Sequence, residues 1–171
     1  MAHELLLLRH AKSDWDQSCD DFDRPLNARG QHDAPRIGRW LRDQNLMPDC
    51  VLSSPARRAA QTAQAVCGQL GYPTEHILWD KRLYLASRET LLDVLADQSD
   101  YPQRLLLVGH NPGLEDLLEY LSQEPPPRQH NGKLLTTATL AHLHLRSDTQ
   151  RPARHRAHLR QIVRPRTLPE A

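Results

Sequence analysis

Two four-residue runs of large aliphatic side chains, Leu5–Leu8 and Leu105–Val108, constrain this chain more than any other feature. A run without polar alternation suits a strand covered on both faces, and covering both faces takes helices on either side of a sheet. The rest of the chain supplies them. Between Gln31 and Gln44 the spacing of Ile37, Trp40 and Leu41 is helical, and from Pro55 to Leu70 the side chains of Ala59, Ala63, Val66, Cys67 and Leu70 share one helical face. Leu91, Leu92 and Leu95 mark a third helix, and Leu114, Leu117, Leu118 and Leu121 a fourth. Cys50–Leu52 and His76–Trp79 read as short strands, Thr137–Leu145 alternates like an antiparallel or edge strand, and His158–Val163 reads as a last strand. This alternation predicts an α/β fold, a three-layer sandwich with a mostly parallel central sheet flanked by helices. With 171 residues, the chain is expected to form a single domain over 1–171, with Pro125–Pro127 in a surface loop.

Composition narrows the classes of function. No apolar run approaches the ~20 residues needed to span a bilayer, and Met1-Ala2-His3-Glu4 lacks the basic opening of a secretory signal. Cys19, Cys50 and Cys67 are an odd, widely spaced set without a C-x-x-C pair. That argues against a disulfide framework or a zinc cluster and for a reducing, cytoplasmic setting, with Cys67 a small core residue. The formal net charge of +1 hides an asymmetry: residues 146–171 hold seven arginines against Asp148 and Glu170. No aromatic residue interleaves with these arginines, so the basic C-terminal segment reads as solvated charge around the last strand, with no nucleic-acid or membrane partner expected.

Ligands of open α/β sheets sit beyond the carboxyl ends of the strands. Leu5–Leu8 is followed by Arg9-His10, Leu105–Val108 by Gly109-His110-Asn111-Pro112, and Val51-Leu52 by Ser53-Ser54-Pro55-Ala56-Arg57-Arg58. The last two also carry helix-start chemistry, with Asn111 before Pro112 and Ser54 before Pro55 as expected N-caps. A helix N-terminus favours an anion, and guanidinium forks match phosphate oxygens. Three junctions that each end in His or Arg therefore describe a phosphate pocket containing imidazoles. His142-x-His144 sets two more imidazoles on one strand face, but the sequence shows no third ligand, so no metal is assigned.

These residues resemble a known family. Arg9-His10-Ala11 after an apolar strand is similar to the R-H-G signature of the histidine phosphatase superfamily, the phosphoglycerate mutase-like phosphatases. Ser54-Pro55-Ala56-Arg57-Arg58-Ala59-Ala60-Gln61-Thr62-Ala63 resembles its S-P-x-x-R-A-x-Q-T-A segment, and Val108-Gly109-His110 its second-histidine motif. Counting along S-P-x-x-R selects Arg58 rather than Arg57. The run from Arg9 to Trp15, with Asp23-Arg24-Pro25-Leu26-Asn27-Ala28-Arg29-Gly30 and Leu83-Tyr84-Leu85-Ala86-Ser87, is similar to the small SixA-like phosphohistidine phosphatases. The similarity runs from about Leu5 to Leu145.

The resemblance implies a phosphatase without metal or other cofactor, acting on a phosphorylated protein or a small phosphate-bearing substrate. His10 would be the nucleophile, while Arg9, Arg58 and His110 would hold the phosphoryl oxygens. A partner must fix the His10 tautomer, and the sequence does not identify it. The mutase-type segment that supplies a carboxylic acid for an alcohol leaving group is missing. Glu89 and Asp93 lie in the corresponding region as possible acids. A phosphatase without a strong acid is biased towards good leaving groups, and phosphohistidine carries one. Arg24, beside Asp20, Asp21 and Asp23, is expected to pair with them more than to rim the pocket; Lys12 either steers phosphate or covers a loop. The rival readings are a phosphomonoesterase for a small metabolite and a non-catalytic phosphate-binding module.

Overall fold

The computed structural model describes residues 3–98, 102–146 and 151–170. Six strands form one sheet: β1 (His3–Arg9), β2 (Cys50–Ser53), β3 (Leu78–Trp79), β4 (Arg104–Gly109), β5 (Leu140–Leu145) and β6 (Ala157–Val163). Their order is β3-β2-β4-β1-β5-β6. The first four in that order run parallel, β5 is antiparallel to β1, and β6 is antiparallel to β5. Four helices cover the faces: α1 (Ala28–Asp43), α2 (Arg57–Leu70), α3 (Arg88–Ala96) and α4 (Gly113–Leu121).

Both apolar runs occupy the centre of this sheet, where β1 pairs with β4 over Glu4–Arg9 and Arg104–Gly109. Their side chains divide between two cores. Leu5 and Leu7 join Leu105, Leu107 and the leucines of α3 and α4, whereas Leu6 and Leu8 join Leu106, Val108 and the apolar faces of α1 and α2. All eight residues of the two runs are fully buried. At about 1.5–3 kcal/mol for each large aliphatic side chain removed from water, this pair of strands is a principal source of the fold's stability.

Two of the strands read from sequence differ from those in the structure. At the first sheet edge only Leu78 and Trp79 pair, with Leu52 and Ser53, while His76 lies in a 3-10 turn that begins after Pro73. The segment read as alternating over Thr137–Leu145 is a strand only from Leu140, and Leu140–Leu143 are all buried. It lies inside the sheet between β1 and β6, so both its faces are covered and alternation is lost. Neither expected N-cap forms. Pro112 takes that position for α4 and Ala56 for α2, while Ser54 Oγ accepts from the Ala56 N–H at 3.2 Å, one step before the helix.

Two glycines permit the close approaches that set the strand-end loops. A Cβ on Gly30, in the first turn of α1, would overlap the Lys12 carbonyl, and one on Gly113 would overlap that of Ala86. In the interior of a helix an alanine ordinarily stabilises relative to glycine. Here the sign reverses. Gly30→Ala is expected to destabilise the protein by about 1–3 kcal/mol in urea denaturation, the usual cost of overpacking, and to displace the loop after His10.

Candidate active site

The parallel pairing of β1 with β4 places Arg9 beside Gly109 and carries both chains past the sheet together, with the His10 N–H donating to the Gly109 carbonyl at 3.0 Å. The imidazoles of His10 and His110 thereby come to 5.2 Å between ring centroids. Adjacent β2 ends at Ser53, and the turn into α2 delivers Arg58 from the other side. Arg9, His10, Arg58 and His110 line one cavity of about 270 Å³, with Lys12, Ser13 and Arg24 also in its wall. Arg57 is exposed and lies outside this wall.

The partner of His10 that sequence leaves open is its own neighbour. His10 Nδ1 lies 2.7 Å from the Ala11 carbonyl oxygen. A carbonyl only accepts, so Nδ1 carries the proton and Nε2 is left with its lone pair. Arg58 Nε donates towards that lone pair at a long 3.4 Å. Ala11 is fixed in turn, because its N–H donates to Thr62 Oγ1 and that hydroxyl donates to the Arg58 carbonyl one turn back along α2. The Q-T pair in the sequence motif therefore has a physical job. Thr62 locks the loop of His10 to the helix that carries Arg58, and Gln61 Oε1 accepts from the Leu26 N–H.

His110 is oriented by Ser54, whose Oγ is 2.8 Å from His110 Nε2. That hydroxyl accepts from the Ala56 N–H and keeps its own proton and a second lone pair for Nε2; when it donates to Nε2, the ring proton sits on Nδ1. Nδ1 is buried and has no hydrogen-bond partner among the described residues. The Arg9 guanidinium is held through Nη1 to the Leu135 carbonyl at 2.9 Å, and its Nε is also buried without a partner.

Asp21 is the site residue that the motif reading did not single out. It caps the cationic side of the pocket: Oδ2 accepts from Arg58 Nη2 at 3.0 Å and from the Tyr84 hydroxyl at 2.5 Å, and Oδ1 accepts from Arg24 Nη2 at 2.6 Å. The Tyr84 hydroxyl, with Arg24 and Arg58, holds the Asp21 carboxyl well below the usual carboxylate range. Arg24 therefore does both things weighed for it: it pairs with an aspartate, and it lines the pocket under the indole of Trp15. The only sequence signal for Asp21 is its place three residues before Arg24. Glu89 and Asp93 are not in the pocket wall. Both are exposed carboxylates on α3 that pair with Arg151.

The pocket's electrostatics keep the histidines neutral. Burial, reinforced by the nearby cations, pushes His10 from 6.5 down to about 3 and does the same to His110. Burial also lowers Arg9 from its usual value. An imidazole with a free lone pair, set among guanidinium groups in a site built for negative charge, has the parts required for attack on phosphorus.

Comparison with known proteins agrees with this geometry. A model of the histidine phosphatase superfamily (branch 1) matches residues 5–82. The solved structure of a protein assigned as the phosphohistidine phosphatase SixA of Agrobacterium tumefaciens is 32% identical, covers 95% of this chain and 98% of its own, and has a TM-score of 0.76. An uncharacterised chloroplastic protein of Arabidopsis thaliana is 30% identical over 131 residues, 71% of this chain and 60% of its own length. An uncharacterised protein of Mycobacterium tuberculosis is 39% identical over 105 residues, 61% of this chain and 63% of its own. The chain thus spans about three-fifths of these curated relatives. It belongs to the histidine phosphatase superfamily.

Two measurements follow from the site. Histidines held neutral when folded, but titrating near 6.5 when unfolded, contribute stability that is present above that pH and lost as pH falls towards about 3. The free energy of unfolding, from urea denaturation, should decline over that interval by up to about 1.4 kcal/mol per pH unit for each histidine, with a shallower slope in His10→Asn. In the second, Asp21→Asn removes the negative charge facing Arg58 and Arg24 while keeping the shape. Inorganic phosphate is expected to bind this variant several-fold more tightly; weaker binding would mean that Asp21 chiefly holds the arginines in place.

Proposed function

We propose that the whole chain, 1–171, acts as one phosphatase domain in which His10 is transiently phosphorylated, and that its substrate is phosphohistidine carried by a protein. The observation that carries this reading is the hydrogen bond from His10 Nδ1 to the Ala11 carbonyl, which leaves Nε2 as the only lone pair on the ring and sets it in a cationic pocket. In the first step the substrate's phosphorylated imidazole takes a proton from water on its other ring nitrogen, Nε2 of His10 attacks phosphorus in line, the bond from phosphorus to the substrate nitrogen breaks, and that nitrogen keeps the electron pair as neutral imidazole departs. In the second, water attacks the phosphorus on His10. The bond to Nε2 breaks, the water's proton passes to the released phosphate, and His10 returns to its starting tautomer. Arg9, Arg58 and the Nδ1–H of His110 bind the phosphoryl oxygens and stabilise their charge as the transition state forms.

The substrate assignment rests on what surrounds the nucleophile. The carboxylate in the pocket wall, Asp21, is held as an anion by three donors and is unsuited to protonate an alkoxide. A substrate whose leaving group is an imidazole does not need that proton from the enzyme. The rim carries Trp15 and Leu85, 72% and 55% exposed. Exposed apolar side chains beside a pocket suit the surface of a folded protein better than the polar body of a sugar phosphate. The three cysteines are free, as suits a reducing cytoplasm, and Cys67 is buried with its thiol pushed up to about 12. No described helix is long and apolar enough to cross a membrane.

The test compares a phosphohistidine-bearing protein with an aryl and an alkyl phosphate ester, in the presence of a chelator. The expected result is turnover of the phosphoprotein far above that of the alkyl ester. His10→Ala should abolish it, by roughly 10³-fold or more, and Arg58→Ala should lower it by about 10²–10³-fold, while Glu89→Gln and Asp93→Asn leave it unchanged. Fast alkyl-ester hydrolysis lost in either carboxylate variant would instead indicate a metabolite phosphomonoesterase. Phosphate binding without turnover of any substrate would indicate a binding module.

A further inference from the structure

We propose that Glu4, His142 and His144 form a binding site for a divalent transition metal of the zinc type, at the opposite end of the sheet from His10. In sequence, His142-x-His144 wants a third ligand, and the fold supplies it. Antiparallel pairing of β1 with β5 sets Glu4 directly across from His144, with His142 two residues along on the same face. One ligand atom from each of the three side chains lies within 4.8 Å of the other two. His144 Nε2 is 2.8 Å from Glu4 Oε1, and His142 Nε2 is 3.6 Å from Glu4 Oε2. Ligand atoms around tetrahedral zinc, each about 2.0–2.1 Å from the metal, are separated by distances of this size.

His142 is the observation that an ordinary histidine–glutamate pair does not account for. Its side chain is 93% buried, yet neither ring nitrogen has a hydrogen-bond partner among the described residues. Glu4 Oε2, its nearest acceptor, is already taken by the Arg104 guanidinium, and Oε1 is taken by His144. A metal at the centre of the triangle would give His142 Nε2 a partner and leave Arg104 in place. His144 would present its Nε2 lone pair as the ring proton moves to Nδ1, so no redox or hydrolytic step is involved. Two imidazoles and one carboxylate oxygen select zinc, cobalt or nickel over magnesium or calcium, which prefer an all-oxygen shell. Three protein ligands leave a fourth position for water. Arg104, paired with Glu4, opposes the charge of a bound cation, so the imidazole bonds must supply the affinity. Five steps of extended strand, roughly 17 Å, separate Glu4 from Arg9, so the site is independent of the phosphatase reading.

The experiment titrates the apo protein with Co²⁺ alone, followed by its visible ligand-field absorption, and with Zn²⁺ alone, followed by calorimetry and thermal shift. The expected result is one equivalent bound per chain with a rise in melting temperature. His10→Ala should keep it. His144→Gln and Glu4→Gln, which preserve size at partly exposed and hydrogen-bonded positions, should each weaken it at least tenfold while phosphatase activity stays at the wild-type level. No saturable binding by the wild-type protein, or binding unchanged in both Gln variants, would overturn the proposal.

Discussion

The pairing of β1 with β4 is the constraint from which the site is built. Neither histidine is near the other in sequence, and neither loop could hold an imidazole to a fixed position by itself. The register that joins Leu8 to Val108 and Arg9 to Gly109 does so by main-chain hydrogen bonds, with both strands sealed in leucine on each face. A slip of one residue would exchange the two cores and bury Glu4 on the wrong side. Stability and the alignment of the two imidazoles are therefore the same property here: the contacts that keep the sheet dry also keep the two rings 5.2 Å apart.

Once the rings are aligned, electrostatics decides what they can do. A nucleophilic histidine must be neutral, yet a phosphoryl group must be met by positive charge. The pocket has the arrangement that would meet both needs, with permanent cations, Arg9 and Arg58, beside buried imidazoles whose protonation those same cations oppose. The Ala11 carbonyl then determines which nitrogen is free. The cost of gathering guanidinium groups in one small cavity is partly offset by Asp21, whose single negative charge is shared between Arg58 and Arg24. Any phosphoryl group entering the pocket competes with that carboxylate for Arg58.

Sequence made the four central residues legible because each follows an apolar run or falls at a fixed step along α2, and such local patterns survive folding unchanged. It also separated Arg58, inside the pocket, from Arg57, outside it. What it left out depends on distance in space. Asp21, Tyr84 and Ser54 act on residues 37, 63 and 56 positions from themselves, through side-chain geometry that no local spacing encodes. Glu89 and Asp93 lie outside the His10 pocket for the reverse reason. Their place in the chain matched an expectation, but α3 turns them to solvent and to Arg151. The lost alternation in β5 and the shortened β3 have a related origin, since whether a strand is interior or edge is settled by its neighbours rather than by its own residues.

The same contrast applies to the two ends of β1. At its carboxyl end the chain leaves the sheet, and backbone carbonyls, a helix start and loop side chains become available to build a pocket; this is where sequence motifs accumulate. At its amino end Glu4 is still inside the ladder, so its neighbours are set wholly by strand register, through β5. A carboxylate 138 residues from one histidine and 140 from the other cannot be found by spacing, yet register places it opposite them as surely as it places Arg9 beside Gly109. Groups brought together by an antiparallel return strand are therefore those most easily overlooked in a sequence, and a buried polar side chain with no hydrogen-bond partner among the described residues, as His142 is, is the structural sign that draws attention to them.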